Sequence, residues 1–239
     1  MPKIPSLEDL LKAGVHFGHR TSKWHPKMQP YIFGEKEGVH IIDIEQTQSA
    51  LEKALPAVEE MVAAGQEIVF VGTKPQAQRI IEKYALEAGV PYVSERWLGG
   101  TFTNFGEIQK LVKKFIDLRD KRDKGELKKY TKLEQLQFDR KIDELDEKIG
   151  GLVLLKKAPA MVYIVDVKHD KTALMEAKKK GITVVALADT NINPELIDYP
   201  IPANDDAVGS ITLITKLIAE AAKVGKARAK NSANKAANK

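Results

Sequence analysis

The sequence contains no cysteine. That absence excludes a disulfide framework, a cysteine-ligated zinc site and a thiol nucleophile. No run of about 18 apolar residues occurs, so no membrane-spanning helix is predicted. The opening MPKIPSLEDL lacks the basic-then-apolar pattern of a signal peptide, and we therefore expect a cytoplasmic protein. With 239 residues and a hydrophobic fraction of 43%, the chain can form a sizeable core, so wholesale disorder is not expected.

Acidic residues are missing from two segments, one towards each end of a chain whose net charge is only +5. The segment 223–239 carries six basic residues and no acid, and the segment 12–30 carries four basic residues, three histidines and no acid. The rest of the chain is close to neutral. This asymmetry favours contact with a polyanion through the ends, although a basic tail is also a common solubilising appendage.

Short apolar segments alternate with helical patterns along most of the chain. Strands are predicted at 39–44, 67–71, 90–93, 160–166 and 181–188, with one more short strand around Ile201, and helices at 46–64, 73–88, 170–180 and 206–224. The runs IVFV and VYIV show no polar alternation, which is typical of strands covered on both faces. The order predicts an α/β fold with a mostly parallel sheet and helices on both faces. Residues 15–38 show no clean period, and Pro56 predicts a kink or break in its helix.

The stretch 105–155 departs from this alternation. Apolar residues at 138, 142, 145, 149 and 152 form a heptad seam, and Thr131 and Glu134 form a capping box at the start of the second helix. These patterns predict an antiparallel helical hairpin that projects from the sheet. We expect residues 1–104 and 156–225 to form one α/β domain, 105–155 the protruding hairpin, and 226–239 a flexible basic tail. A hairpin that serves as a dimerisation module is an alternative.

Several residues could bind phosphate or metal. Gly72, Thr73 and Lys74 lie between a strand and a helix, but neither a P-loop nor a G-x-G-x-x-G motif occurs, so a plain turn is favoured over a nucleotide site. A backbone phosphate of RNA bound at the same helix end, beside Lys74, is an intermediate alternative. Acidic residues follow later strands and open the last helix, and with nearby histidines they could hold a divalent cation, although ordinary caps are favoured. The residues concerned are His16, His19, Asp166, Asp189, Asp205 and Asp206. No catalytic triad spacing, H-E-x-x-H or G-x-S-x-G motif is present, so no catalytic core is predicted.

Two segments combine cations with aromatic residues and glycines: GVHFGHRTSKWHPKMQPYIF at 14–33 and RWLGGTFTNF at 96–105. Guanidinium and ammonium groups bind phosphates, and exposed rings stack on bases. Trp24 and Trp97 could instead anchor their loops in the core. We expect mixed roles, in which rings pack and cations bind nucleic acid.

These segments resemble the bacterial form of the small-subunit ribosomal protein S-two family. The matching stretches are GVHFGHRTSKWHPKMQPYIFGEKEGVHIIDIEQT (14–47), FVGTKPQAQ (70–78), RWLGGTFTNF (96–105) and ALADTNINPELIDYPIPANDDA (186–207). The resemblance implies a flavodoxin-like or Rossmann-like α/β domain with an inserted coiled-coil hairpin. It implies a non-enzymatic, structural component of the small ribosomal subunit, from a bacterial or plastid source.

The resemblance also implies partners and site residues. It implies binding to small-subunit ribosomal RNA, a bridge between the head and the body of the subunit, contact with neighbouring ribosomal proteins and docking of ribosomal protein S-one. It implies no cofactor, no membrane contact and no small-molecule substrate. RNA contact is implied for Arg20, Lys23, Trp24, His25, Lys27, Thr73, Lys74, Arg96, Trp97, Thr103, Asn104, Lys110, Lys113 and Lys114. A nucleotide-dependent enzyme on a doubly wound sheet is the alternative function.

Overall fold

A small antiparallel sheet lies near the start of the computed structural model, which describes residues 2–237. Helix α1 (Leu7–Lys12) precedes strands β1 (Phe17–Arg20), β2 (Ile32–Lys36) and β3 (Val39–Ile42), which pair in the order β1-β3-β2. Glu37 and Gly38 connect β2 to β3 with φ of 54° and 74°, the left-handed values of a two-residue hairpin turn. Two of these strands lie in the segment 15–38, where the sequence pattern is irregular.

Five further strands form a fully parallel sheet. They are β4 (Ile68–Val71), β5 (Tyr92–Val93), β6 (Met161–Ile164), β7 (Thr183–Ala188) and β8 (Tyr199–Pro202), in the spatial order β5-β4-β6-β7-β8. Numbered along the chain, this order is 2-1-3-4-5, the flavodoxin-like arrangement. The predicted parallel sheet is confirmed, and β8 is the further short strand expected around Ile201.

Helices cover both faces of this sheet. The remaining helices are α2 (Ile44–Ala63), α3 (Pro75–Ala88), α4 (Phe105–Asp123), α5 (Lys132–Ile149), α6 (Lys171–Lys180) and α7 (Val208–Ala237). Alternate strand residues serve the two faces: Phe70 and Tyr163 pack in one apolar cluster with α2, α3 and α7, while Val71 and Ile164 pack in a second cluster with α6. Helix α2 continues through Pro56 rather than ending there. Within residues 2–237, no helix is both long enough and apolar enough to cross a membrane.

Helices α4 and α5 follow each other across a short turn. Gly125, with φ of 72°, follows the end of α4, and the predicted capping box of Thr131 and Glu134 opens α5. Both helices contribute buried residues to the second apolar cluster: Ile108, Val112, Phe115, Ile142, Leu145 and Ile149. The heptad positions 142, 145 and 149 are thus the buried side of α5.

Helix α7 extends beyond its predicted end at residue 224. Gly225 packs so closely on α2 that a Cβ atom there would lie 2.6 Å from the Glu59 carbonyl oxygen. Next to it, the Arg228 guanidinium lies 2.6 Å from the Glu59 carboxylate, and Lys226 donates to the Gly89 carbonyl. The first residues of the predicted tail are therefore held against the body, and residues 238–239 lie outside the described residues.

Candidate functional site

The segments singled out from the sequence lie along the carboxyl-terminal edge of the parallel sheet, the edge at which its strands end. Because parallel strands end on the same side, the loops after β4, β5, β6, β7 and β8 share this edge. The N-terminal sheet docks on the same edge through Thr190: its hydroxyl accepts from the His19 N–H at 2.9 Å and its carbonyl from the His25 N–H at 2.7 Å. A Cβ at Gly18 would lie 2.6 Å from the Thr190 methyl, so only glycine permits this approach.

Lys74 lies among carboxylates at the centre of this edge. Its Nζ lies 2.6 Å from a carboxylate oxygen of Asp206, 2.9 Å from one of Asp205 and 3.1 Å from one of Asp166. Burial opposes the charged form, but the hydrogen bonds and charges of these three aspartates outweigh it and raise the pKa of Lys74. The positive charge of Lys74 is therefore neutralised within the protein, and its side chain is only 13% exposed.

Two neighbouring groups in this cluster have shifted titration. Burial, reinforced by the charges of Asp189 and Asp166, raises the pKa of Asp205 to about 7, although Lys74 counteracts the shift. A hydrogen bond with Asp189, at 3.0 Å from Nδ1, raises the pKa of His19 despite partial burial. Both shifts favour the protonated forms of these groups relative to their ordinary titration.

The residues considered as alternative metal ligands are only partly brought together. Ligand atoms of His19, Asp205 and Asp206 lie within 4.8 Å of one another, but His16 lies elsewhere and lines a groove beside Phe33. The Lys74 ammonium already supplies the positive charge that a divalent cation would bring to this cluster.

Hydrogen bonds show what the individual aspartates do. Asp166 Oδ1 accepts from the N–H groups of Lys168 and His169, both at 2.8 Å, which is the turn role favoured from the sequence. Before α7, the accepting group is instead Asn204, whose Oδ1 binds the N–H groups of residues 206 and 207. The aspartates next to Asn204 face Lys74.

The donors of Thr73, in the turn after β4, are occupied by a protein carboxylate. The Thr73 N–H donates to Asp170 Oδ2 at 3.2 Å, and the Thr73 hydroxyl donates to Asp170 Oδ1 at 2.7 Å. Thr73 is buried. A bound anion at Thr73 would need the donors that Asp170 already occupies, which agrees with the plain-turn interpretation.

The loop after β5 is organised by a residue that the sequence patterns did not single out. Glu176, on α6, is buried and accepts hydrogen bonds from the Trp97 indole at 3.1 Å and from the Thr103 N–H and hydroxyl at 3.0 Å. Trp97 is buried as well and packs edge-on against Phe102. The available signal was a carboxylate on the apolar face of α6, three residues after the buried Ala173.

The remaining predicted residues are mostly exposed. Trp24 is 37% exposed and its ring lies 5.3 Å from that of His40. Lys27 pairs with Glu195, and its N–H donates to His25 Nδ1 at 3.2 Å. The other exposed members are Arg20, Lys23, Arg96, Asn104, Lys110, Lys113 and Lys114, of which Lys110 pairs with Glu107 at 2.7 Å. Within the described part of the chain, Arg20, Lys23 and Arg96 make no ion pair.

Comparison with known proteins identifies the family. The family described as "Ribosomal protein S2" matches residues 10–225. The chain is 48% identical to "Small ribosomal subunit protein uS2" of Roseiflexus sp. (strain RS-1), over 95% of this chain and 86% of that protein. It is 44% identical to the protein of the same name from Chloroflexus aggregans, over 97% and 98%, and 46% identical to that from Chlorobaculum tepidum, over 92% and 88%.

The chain belongs to the Ribosomal protein S2 family. Members of the Ribosomal protein S2 family are structural, non-enzymatic proteins of the small ribosomal subunit, which is cytoplasmic in bacteria. This assignment removes the alternative of a nucleotide-dependent enzyme. It agrees with the turn after β4, where a protein carboxylate occupies the donors that a nucleotide phosphate would use.

Proposed function

We propose that this structural ribosomal protein binds small-subunit ribosomal RNA through the sheet edge on which its N-terminal sheet docks. The observation that carries the proposal is the placement of Arg20, Lys23 and Arg96: all three are exposed, and they make no ion pair within the described residues. They lie on two segments, one docked at the end of β7 and one that follows β5. Unpaired guanidinium and ammonium groups are free to bind phosphates.

The predicted RNA-contact residues divide into two roles in this proposal. Arg20, Lys23, Arg96 and Asn104 contact RNA directly, and the half-exposed ring of Trp24 offers a stacking surface. Thr73, Lys74, Trp97 and Thr103 support the loops from inside, because their polar groups are already bound by protein carboxylates. Lys27 and His25 hold the N-terminal loop together.

Helices α4 and α5 form the proposed second surface. We propose that they are an antiparallel coiled-coil hairpin spanning 105–155 that protrudes from the α/β domain of 1–104 and 156–225. The burial of heptad positions 142, 145, 149 and 152 supports this hairpin. Lys113 and Lys114 are exposed on α4 and available to RNA. Two RNA-binding surfaces on one chain are what a bridge between the head and body of the subunit requires.

We also propose that ribosomal protein S-one docks on this chain, in an apolar groove. An apolar groove of about 330 Å³ is lined by residues of α1, β3 and the start of α2, with Phe33 at its rim. Phe33 is 81% exposed, and Phe17 and Leu11 are also exposed. Exposed aromatic patches of this kind mark contact sites for other proteins. Asp43 and Glu45 line the same groove and favour a partner segment that carries basic residues.

A salt titration tests the RNA-binding proposal. Binding of the full chain to small-subunit ribosomal RNA should weaken with salt, and the log–log slope should fall by about 0.7 to 0.9 for each phosphate that the protein no longer neutralises. The variant R20A/R96A should therefore have a slope smaller by about 1.4 to 1.8 and keep its thermal stability. The control K179A/K180A removes two exposed lysines at the end of α6. They lie at the opposite, amino-terminal edge of the sheet, where the strands begin, so this variant should retain the slope. Equal slopes for the wild type and R20A/R96A would refute the assignment.

A further inference from the structure

The loop between Trp97 and Thr103 is held by one carboxylate. Glu176 Oε1 accepts from the Trp97 indole N–H at 3.1 Å and from the Gly100 N–H at 2.7 Å. Its Oε2 accepts from the Phe102 N–H at 2.9 Å, the Thr103 N–H at 3.0 Å and the Thr103 hydroxyl at 3.0 Å. Five donors from one loop therefore converge on a side chain that belongs to a distant helix.

This arrangement requires a charged carboxylate. Glu176 is only 8% exposed, and burial alone would disfavour its charge. The backbone N–H groups of Thr103, Gly100 and Phe102 outweigh that effect and lower the pKa of Glu176. Three backbone N–H groups aimed at one anion form a concave anion site, and here the anion is supplied by the protein. Gly100, with φ of 93°, provides the left-handed turn that lets its N–H point inward.

The two ends of this loop carry proposed RNA contacts. Arg96 immediately precedes Trp97, and Asn104 immediately follows Thr103, and both are exposed. The Asn104 N–H also donates to the Gly100 carbonyl at 2.7 Å, so the end of the loop is tied to its middle. Because Arg96 and Asn104 flank the five donors, the hydrogen bonds that hold these donors also hold the backbone of Arg96 in a fixed position relative to that of Asn104.

We propose that Glu176 is a positioning residue for RNA binding: its carboxylate pre-forms the 97–103 loop so that Arg96 and Asn104 meet the RNA backbone together. The inference rests on the proposed RNA-binding function. Glu176 does not touch RNA in this scheme. It removes the need to order the loop upon binding, a cost that would otherwise weaken the complex.

The isosteric variant Glu176→Gln is the sharpest perturbation. Both oxygens of Glu176 accept hydrogen bonds, so the amide NH₂ of glutamine must face either the Gly100 and Trp97 donors or the Phe102 and Thr103 donors. The amide N–H groups of glutamine then face N–H groups of the loop in a buried site. Because neither side can accept a hydrogen bond, we expect the loop to open. We expect RNA binding about tenfold weaker, the effect of removing one charge-assisted hydrogen bond, and a salt slope smaller by about 0.7 to 0.9.

Fluorescence reports on the loop independently of RNA. The chain has two tryptophans, so in a Trp24→Phe background the emission comes from Trp97 alone. Glu176→Gln in that background should shift Trp97 emission to the red and raise its quenching by acrylamide, whereas RNA binding is measured with Trp24 intact. The control Glu59→Gln removes another buried carboxylate, paired with Arg228 on the other face of the sheet, and should change neither readout.

Chemical rescue separates positioning from general destabilisation. Glu176→Ala leaves a cavity lined by the five donors, and sodium formate should restore the Trp97 emission and the salt slope, whereas sodium chloride at equal ionic strength should not. If neither Gln nor Ala folds, Glu176→Asp keeps the charge one methylene short and should show the same effects in smaller degree.

The outcomes distinguish this inference from the function on which it rests. Wild-type protein that fails to bind small-subunit RNA overturns both. Wild-type binding together with an unchanged slope in Glu176→Gln or Glu176→Asp, although Trp97 has become accessible, overturns the positioning role alone. A parallel decrease of the slope and of Trp97 protection, absent from Glu59→Gln, supports it.

Discussion

Replacement of Lys74 by methionine tests whether this residue is an internal counter-ion or an RNA ligand. The sequence places Lys74 at a helix start, where a lysine could bind phosphate. In the structure its ammonium is instead shared by Asp166, Asp205 and Asp206 at 2.6 to 3.1 Å. Methionine preserves the apolar stem and removes only the charge and its hydrogen bonds.

The cost follows from the burial of the group. The Lys74 side chain is 13% exposed and that of Asp205 1% exposed, so Lys74→Met leaves a buried carboxylate without its cation. Removing one partner of such a pair costs about 3–5 kcal/mol. Asp205 can relieve part of this cost by binding a proton, since its pKa is already raised to about 7 and Lys74 is one of the groups that lower it. The loss of stability should therefore be about 3–5 kcal/mol at pH 8 and about 1–2 kcal/mol smaller at pH 5.5.

Urea unfolding of the full chain at pH 8 and pH 5.5 measures the loss of unfolding free energy in Lys74→Met directly. Lys74→Arg, which keeps the charge, should retain more of the stability at pH 8 than Lys74→Met. Lys110→Met removes an exposed lysine whose pair with Glu107 lies on the surface, and should cost less than about 1 kcal/mol. If Lys74→Met were as stable as the wild type at both pH values yet weaker in RNA binding, the counter-ion role would be refuted and the phosphate role supported.

Two further predictions concern the same edge and the apolar groove. The pKa of Asp205 is raised from 3.8 to about 7 in the folded protein, so the folded state holds a proton that the unfolded state releases, and this contribution to stability is lost as pH rises through 7. The decrease in unfolding free energy that Asp205 causes between pH 5 and pH 8 is about 2–3 kcal/mol, and Asp205→Asn should lack this decrease. A pH profile parallel to that of the wild type would contradict the assignment. Phe33→Ser should leave thermal stability unchanged, because the ring is 81% exposed, and should reduce the amount of ribosomal protein S-one that co-sediments with small subunits. Leu86→Ser, an exposed residue on α3, is its control, and full S-one occupancy in Phe33→Ser subunits would exclude the groove as the docking site.

Local signals predicted most of the parallel sheet and its helices. The runs IVFV and MVYI are buried along their whole length, as unbroken apolar strands should be. Pro75 begins α3 and Gly89 ends it in the left-handed conformation. These features depend on residues within a few positions of each other, so they can be predicted from the sequence.

Strands β1 and β2 of the N-terminal sheet lacked such signals, whereas β3 lies within the predicted strand 39–44. Strands β1 and β2 are four and five residues long and alternate weakly, because much of their surface is neither fully buried nor fully exposed. The turn between β2 and β3 places Glu37 in the left-handed region, which few non-glycine residues adopt. The packing of Gly18 against Thr190, far along the chain, is one of the contacts that order this segment.

The carboxylates that pair with residues of the candidate site could not be predicted from the sequence either. Trp97 meets Glu176 across 79 positions, and Lys74 meets Asp205 across 131. Residue types alone marked these loops as chemically unusual. They could not show that lysine, threonine and tryptophan point inward to carboxylates, since that depends on which loops the sheet order brings together.

The sheet edge combines an unusual set of internal ions. In doubly wound sheets this edge is where ligands bind, and here protein groups take the places of the ligands. Lys74 stands where a cation would sit among Asp205 and Asp206, and Asp170 occupies the donors of Thr73 that a phosphate would use. With Glu176 filling the loop after β5, the inward-facing polar groups at these three points are satisfied before any partner arrives. A binding surface built on this edge must therefore use the outward-facing cations, which is why the proposed RNA contacts are the exposed arginines and not the conspicuous lysine at the start of α3.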